Sequence, residues 1–249
     1  MTSGNQLHHP AGKLRRNDFY GGSETQNTRW VLELLKHKKN GYFIDIGCND
    51  PVRSNNTWIL EKKYAWEGIV VEPNAMHFGN ILHMRTCEKI LGRPIFDHDD
   101  TVDFMIIKDD RLHGYSGIKE TLNPNLKLNL ESTDQTIMLE GVSRQTKSKI
   151  VKLQAMSPDT LVKEYSVPKV FDYLKIDAEG AEINIIKNWP WDKAQPTLVS
   201  MEADPTQYYK FHQNVAKIVI EYMKEVNYNQ VQNPYCKVDY EYFFSKSTD

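Results

Sequence analysis

Tyr42-Phe43-Ile44-Asp45-Ile46-Gly47 and Gly68-Ile69-Val70-Val71-Glu72-Pro73-Asn74 decide the fold class. Each is a short apolar run that ends in an acid and a turn residue, the pattern of a strand buried on both faces. Pro73 bars continuation of the second run. Asn55 to Tyr64 between them has helical character, so the stretch is a strand–helix–strand unit. Upstream, Trp30, Val31, Leu34 and Leu35 lie at helical spacing within Thr28 to Lys39, ahead of a stop at Asn40-Gly41. Downstream the alternation continues. Strands are expected within 86–96, 101–107, 150–153 and 171–176, the last ending at Asp177, then at 197–201 before Glu202 and at 240–244. Helices are expected from Ser157-Pro158 to about Tyr165, through Ile183 to Ile186, and from about Tyr208 to Val226. This order predicts an α/β protein with one open, mostly parallel, Rossmann-like sheet and helices on both faces. Residues 1–18 are expected to form a flexible N-terminal segment and 19–249 a single domain. The polar, weakly periodic stretch at about 108–148 is expected to be an insertion or lid.

Composition narrows the function classes. The 249 residues are 26% charged and 40% hydrophobic, which excludes disordered, collagen-like and membrane compositions. Thirty-one Lys and Arg against 33 Asp and Glu leave a formal charge of −2, with no general electrostatic reason to bind nucleic acid or anionic lipid. No apolar run approaches the roughly 18–20 residues of a membrane span, and no signal-type apolar segment opens the chain, so an intracellular, cytoplasmic protein is expected. Cys48, Cys87 and Cys236 form no C-x-x-C pair and are expected to be buried free thiols.

In open α/β sheets ligands bind outside the carboxyl ends of the strands. Asp45, Glu72, Asp177 and Glu202 fall at such ends. Gly47 permits a tight turn, Asn49 tolerates left-handed backbone in place of a second glycine, and Glu72 lies where an acid accepts hydrogen bonds from a ribose diol. The loop Gly47-Cys48-Asn49-Asp50-Pro51 lacks the further glycines that a pyrophosphate requires, which disfavours a dinucleotide. A nucleoside without phosphate, such as S-adenosylmethionine, makes no such demand, and its cationic end suits Asp45. A purely structural αβ loop remains open on these features alone. Asp177 with Glu202 and Asp204 offers oxygen ligands for Mg²⁺ or Mn²⁺, while Glu179 and Glu182 also suit a helix N-terminus. Asp97-His98-Asp99 opens a different class, a nucleotide-sugar glycosyltransferase gripping a diphosphate through a metal. A third reading is a non-catalytic nucleoside-binding module of the same fold.

Phe43 to Pro51, Ser54-Asn55-Asn56-Thr57, Trp66 to Ile69 and Glu72-Pro73-Asn74 together resemble the FkbM family of methyltransferases. The more specific match is Phe171-Asp172-Tyr173-Leu174-Lys175-Ile176-Asp177-Ala178-Glu179-Gly180-Ala181-Glu182, an apolar strand running into D-x-E-G-x-E. A weaker match covers Gly21-Gly22-Ser23-Glu24. The resemblance implies a class I methyltransferase fold, S-adenosylmethionine, and O-methylation of a small-molecule or glycan acceptor, typically at a sugar hydroxyl. It places Asp45, Gly47, Cys48, Asn49, Glu72, Pro73, Asn74 and Glu24 at the cofactor. It also brings His113-Gly114-Tyr115-Ser116-Gly117 near the reaction centre. A sugar hydroxyl is weakly acidic and needs a base or a metal, which makes Asp177 and His113 the catalytic candidates.

Overall fold

The computed structural model describes residues 26–87, 89–108, 112–122, 134–139, 142–203 and 215–247. Its main sheet has seven strands: β1 (Tyr42–Ile46), β2 (Glu67–Val71), β3 (Lys89–Leu91), β8 (Val170–Ile176), β9 (Gln195–Glu202), β10 (Tyr228–Gln230) and β11 (Glu241–Lys246). Their order across the sheet is β10-β11-β9-β8-β1-β2-β3. β3, β2, β1, β8 and β9 run parallel, and β11 pairs antiparallel with both β9 and β10. β1 pairs with β2 on one side and β8 on the other, and Asp45 aligns with both Val70 and Lys175. Connections leave β1 toward one edge and β8 toward the other, which makes the carboxyl ends of these two strands the switch point.

Period-two side-chain alternation splits the core into two layers. On one face Phe43, Val70, Tyr173, Leu198 and Phe243 pack with Trp30 and Val31 of α1 (Asn27–Leu34), Leu60 of α2 (Trp58–Tyr64) and Ile81 of α3 (Ala75–Met84). On the other, Ile44, Ile46, Leu174, Ile176 and Val199 meet Leu161 of α4 (Pro158–Glu164), Ile185 and Ile186 of α5 (Glu182–Asn188), and Val219 and Met223 of α6 (Val215–Glu225). The helices lie on both faces, as the sequence predicts. Two are shorter than expected. Asn55 Oδ1 accepts from the N–H groups of Thr57 and Trp58, so the residues before Trp58 form a cap rather than a first turn. Lys36 and His37, both with φ near +50°, unwind the end of α1. Among the described residues no helix is long and apolar enough to cross a membrane.

The expected single sheet is in fact two. β4 (Thr101–Ile107), β5 (Gly117–Ile118), β6 (Asp134–Leu139) and β7 (Val142–Gln154) form a separate antiparallel sheet in the order β5-β4-β7-β6. Phe104, Ile106 and Ile118 face the main core, whereas Met105 and Ile107 pack with Leu112 and Leu122. The stretch within 108–148 thus contains β5, β6 and the first part of β7. Its polarity hides the strands because small polar side chains fill inward positions: Thr146 and Ser148 are buried between the exposed Gln145, Lys147 and Lys149. The expected N-terminal segment, residues 1–18, lies outside the described residues.

A buried polar network underpins the loop after β1. Arg85, at the end of α3, donates through Nε to Glu61 Oε2 (2.6 Å), through Nη1 to Asn55 Oδ1 (3.2 Å) and through Nη2 to Thr57 Oγ1 (2.9 Å). Thr57 in turn donates to Asp45 Oδ2 at 2.6 Å. Burial alone would raise the Glu61 carboxyl, but the Arg85 charge and hydrogen bond, with the Thr86 N–H, pull it down to about 2. Because the folded value is depressed, the Glu61 contribution to stability is present above the ordinary carboxylate range and is lost as pH falls toward 2. Arg85→Met is expected to destabilise the protein by about 3 kcal/mol, because it removes the buried charge partner of one Glu61 oxygen and leaves only Lys62 and Thr86 on the other. Urea unfolding measures this, and a loss below about 1 kcal/mol would show that water replaces the guanidinium.

Candidate functional site

The site begins where β1 and β8 end together. Gly47 turns the chain with φ +79° and Asn49 follows at φ +54°, the left-handed conformation expected of it. A Cβ on Gly47 would lie 1.6 Å from the Asp177 carbonyl oxygen, so only glycine lets the two strand ends come this close. Between them sits Lys175, which is 5% exposed. Its Nζ donates to the Gly47 carbonyl at 2.8 Å and to Asp177 Oδ2 at 3.0 Å, and lies 3.8 Å from Asp45 Oδ1. Burial opposes the lysine charge, yet Asp177 and Asp45 outweigh it and drive its pKa up. A charge within the apolar run at the carboxyl end of a buried parallel strand is the sequence signal that would have revealed this residue.

Outside these ends lies a cavity open to solvent, about 600 Å³ when the solvent-filled mouth is counted with it. Its lining combines apolar residues, Val71, Pro73, Pro94, Ile95, Phe104 and Ile118, with polar ones, Asn49, Glu72, Ser116, Asp177 and Glu179. Glu72 is held on both oxygens: Oε2 accepts from the Asn49 N–H and Oε1 from the Asn74 N–H, each at 2.7 Å. Burial is the stronger influence and pushes this carboxyl up to about 7, although both N–H groups favour the anion. Asn49 Oδ1 is buried in the cavity wall without a hydrogen-bond partner among the described residues.

The acids of β8 and its following loop divide by role. Asp177 keeps a third of its side chain exposed at the cavity while Lys175 holds one oxygen. Glu202, at the end of β9, hydrogen-bonds to Asp177; burial, with repulsion from Asp177, Glu179 and Glu182, pushes its pKa well up. Glu182 is fully buried and turns back on its own loop, accepting from the Ala178 N–H (2.6 Å) and the Gly180 N–H (3.0 Å). This bracing holds Glu179 in a left-handed conformation at the cavity wall. Cross-strand from Glu202, Glu241 accepts from Asn27 Nδ2 at 2.7 Å, and its carboxyl is raised to about 7 by burial and then by Asp177.

The structure therefore brings Gly47, Asn49, Glu72, Pro73 and Asp177 together around one cavity. Asp45 lies beneath it, 1% exposed and tied to Thr57. Cys48 turns its side chain into the core beside Leu60 and Phe43, and Asn74 is the buried N-cap of α3, so both serve the wall from behind. His113 falls in a 3₁₀ turn, His113–Tyr115, of which Gly114 reaches the cavity; its side chain lies outside the described residues, as do Glu24 and Asp204. Pro94, Ile95, Phe104 and Ile118 are new here, because apolar residues on strands and loops of a core give no local sign of facing a ligand.

Other expectations meet other outcomes. Asp99 braces Ser157, the N-cap of α4, accepting from the Ser157 N–H (2.7 Å) and hydroxyl (2.9 Å) and from the Thr160 hydroxyl (2.7 Å). Asp97 accepts from Asn184 Nδ2 at 2.7 Å. The D-x-D carboxylates thus anchor two helices to the start of β4. Among the described residues no group of three His, Cys, Asp or Glu side chains is placed to hold a metal ion. All three cysteines are free thiols, Cys48 and Cys87 buried and Cys236 half-buried. No curated protein matches the chain. The family model described as the methyltransferase FkbM domain matches residues 45–229, from the Asp45 strand end through the cavity and the D-x-E-G-x-E loop to β10. With that match over most of its length, and a class I sheet carrying the site at its switch point, the chain belongs to the FkbM methyltransferase family.

Proposed function

We propose that the chain is an S-adenosylmethionine-dependent O-methyltransferase that acts on a hydroxyl of a sugar or glycan, with Glu72 as the acceptor for the cofactor's ribose. The carrying observation is the double anchoring of Glu72: each oxygen takes one backbone N–H and keeps a lone pair for a ribose hydroxyl. The residues fit this cofactor. Apolar walls suit a base, the orphaned Asn49 Oδ1 suits a donor, and one glycine suffices where no pyrophosphate must be wrapped. When bound, S-adenosylmethionine supplies a methyl carbon already activated by a sulfonium. The chain's own task is to align an acceptor oxygen and take its proton. Asp177 is placed for the second task, with one oxygen fixed by Lys175, and Glu179 beside it suits hydroxyl donors of a sugar.

Two measurements test this reading. Glu72→Gln is expected to weaken S-adenosylhomocysteine binding in calorimetry by about 10- to 100-fold, the worth of a charged hydrogen bond. Since the free Glu72 carboxyl takes up its proton below about 7, wild-type affinity is expected to fall as pH drops below that value and to level off above it. Glu72→Gln flattens the profile. A wild-type affinity independent of pH between 5.5 and 8, on a range chosen around that titration, places the ribose elsewhere. Methyl transfer from labelled S-adenosylmethionine to a panel of sugars, oligosaccharides and other alcohols tests the acceptor class, and transfer only to non-sugar alcohols refutes it.

A further inference from the structure

Ser116 has a hydroxyl whose hydrogen has one direction left. Its Oγ accepts the Ile107 N–H at 3.0 Å and the Asn74 side-chain amide N–H at 3.3 Å. The orientation of that amide is set independently, because Asn74 Oδ1 accepts the Met76 N–H at 3.0 Å in capping α3. Two donors occupy both lone pairs of a hydroxyl oxygen, so the remaining tetrahedral direction carries the proton. No described protein atom accepts it, and Ser116 lines the cavity.

We infer that Ser116 donates a hydrogen bond to a ring nitrogen of the cofactor's adenine and so reads the base; this rests on the proposed nucleoside cofactor. The ribose hydroxyls are donors matched to Glu72, which leaves N1, N3 and N7 as the adenine acceptors without a proton of their own. Phe104, Ile118, Pro94 and Ile95 stand in the same wall and offer apolar contact to the ring. One residue spaces the two contacts: the Asn74 backbone N–H holds Glu72, and the Asn74 side-chain amide holds Ser116. The ribose acceptor and the base donor are therefore built from opposite ends of a single buried asparagine, which is 1% exposed.

Calorimetry on the full chain tests this with S-adenosylhomocysteine and its 1-deaza, 3-deaza and 7-deaza analogues. Ser116→Ala is expected to weaken S-adenosylhomocysteine by about 3- to 10-fold, the range of one neutral hydrogen bond. One deaza analogue is expected to lose a similar factor against the wild type and to lose nothing further against Ser116→Ala, while the other two lose the same factor in both proteins. Ser116→Thr, which keeps the hydroxyl, restores the discrimination. A role confined to holding the loop lowers all four affinities by one factor, and that result overturns the inference. Unchanged S-adenosylhomocysteine affinity in Ser116→Ala overturns it too. A wild-type protein that binds none of the four ligands overturns the cofactor reading itself.

Discussion

Replacing Gly47 by alanine is expected to lower S-adenosylhomocysteine affinity by more than about 100-fold and to destabilise the protein by about 3 kcal/mol or more. Two penalties combine. A left-handed φ of +79° costs a residue with a Cβ about 1–2 kcal/mol. The new methyl would also fall 1.6 Å from the Asp177 carbonyl oxygen, a backbone atom that cannot swing aside. Relief requires the ends of β1 and β8 to part, which strains the Asp177 N–H to Ile46 carbonyl bond (3.0 Å) and the Lys175 bond to the Gly47 carbonyl. Gly79 is the matched control. It lies within α3 with nothing inside 4 Å of an added Cβ, so Gly79→Ala is expected to stabilise by about 0.5–1 kcal/mol. Thermal unfolding and calorimetry read both variants, and wild-type behaviour of Gly47→Ala would contradict the close approach of the two strands.

Asp177→Asn is expected to cut turnover by about 10²-fold or more while S-adenosylhomocysteine affinity holds. The substitution keeps the shape, so Lys175 retains an oxygen to bond and the backbone anchoring of Glu72 is untouched. What disappears is the carboxylate proposed to take the acceptor's proton. Glu202 is not placed to replace it, since it is not part of the cavity wall, and burial with three neighbouring acids pushes its carboxyl well above the usual range. Turnover close to wild type on a verified acceptor would move the base to the segment around His113. A parallel fall in cofactor affinity would instead mark Asp177 as part of the binding surface.

The division between sequence and tertiary structure runs along the range of the forces involved. β1, β2, β8 and β9, with Gly47, Asn49, Glu72 and Asp177 at their ends, are legible in the chain alone. Burial on both faces demands unbroken apolar runs, and a sharp exit demands glycine, proline or a residue tolerant of positive φ, all within a few positions of one another. The family signature is of the same local kind. Other properties are decided by partners distant in sequence. β4 and β7 look like further strands of the main sheet, and only their pairing with each other, Thr101 opposite Gln154, separates them from it. Lys175 is tolerable in the core because Gly47, some 128 positions away, and Asp177 satisfy its charge there. Cys48 and Asn49 are adjacent, yet the turn sends one into the core and the other to the cavity. Ser116 becomes a cavity donor only because Asn74, 42 positions earlier, takes one of its lone pairs. Which segments are strands is therefore written locally, in what each residue must bury; which polar groups remain free to meet a ligand depends on who has already bonded to them, and folding alone brings those partners together.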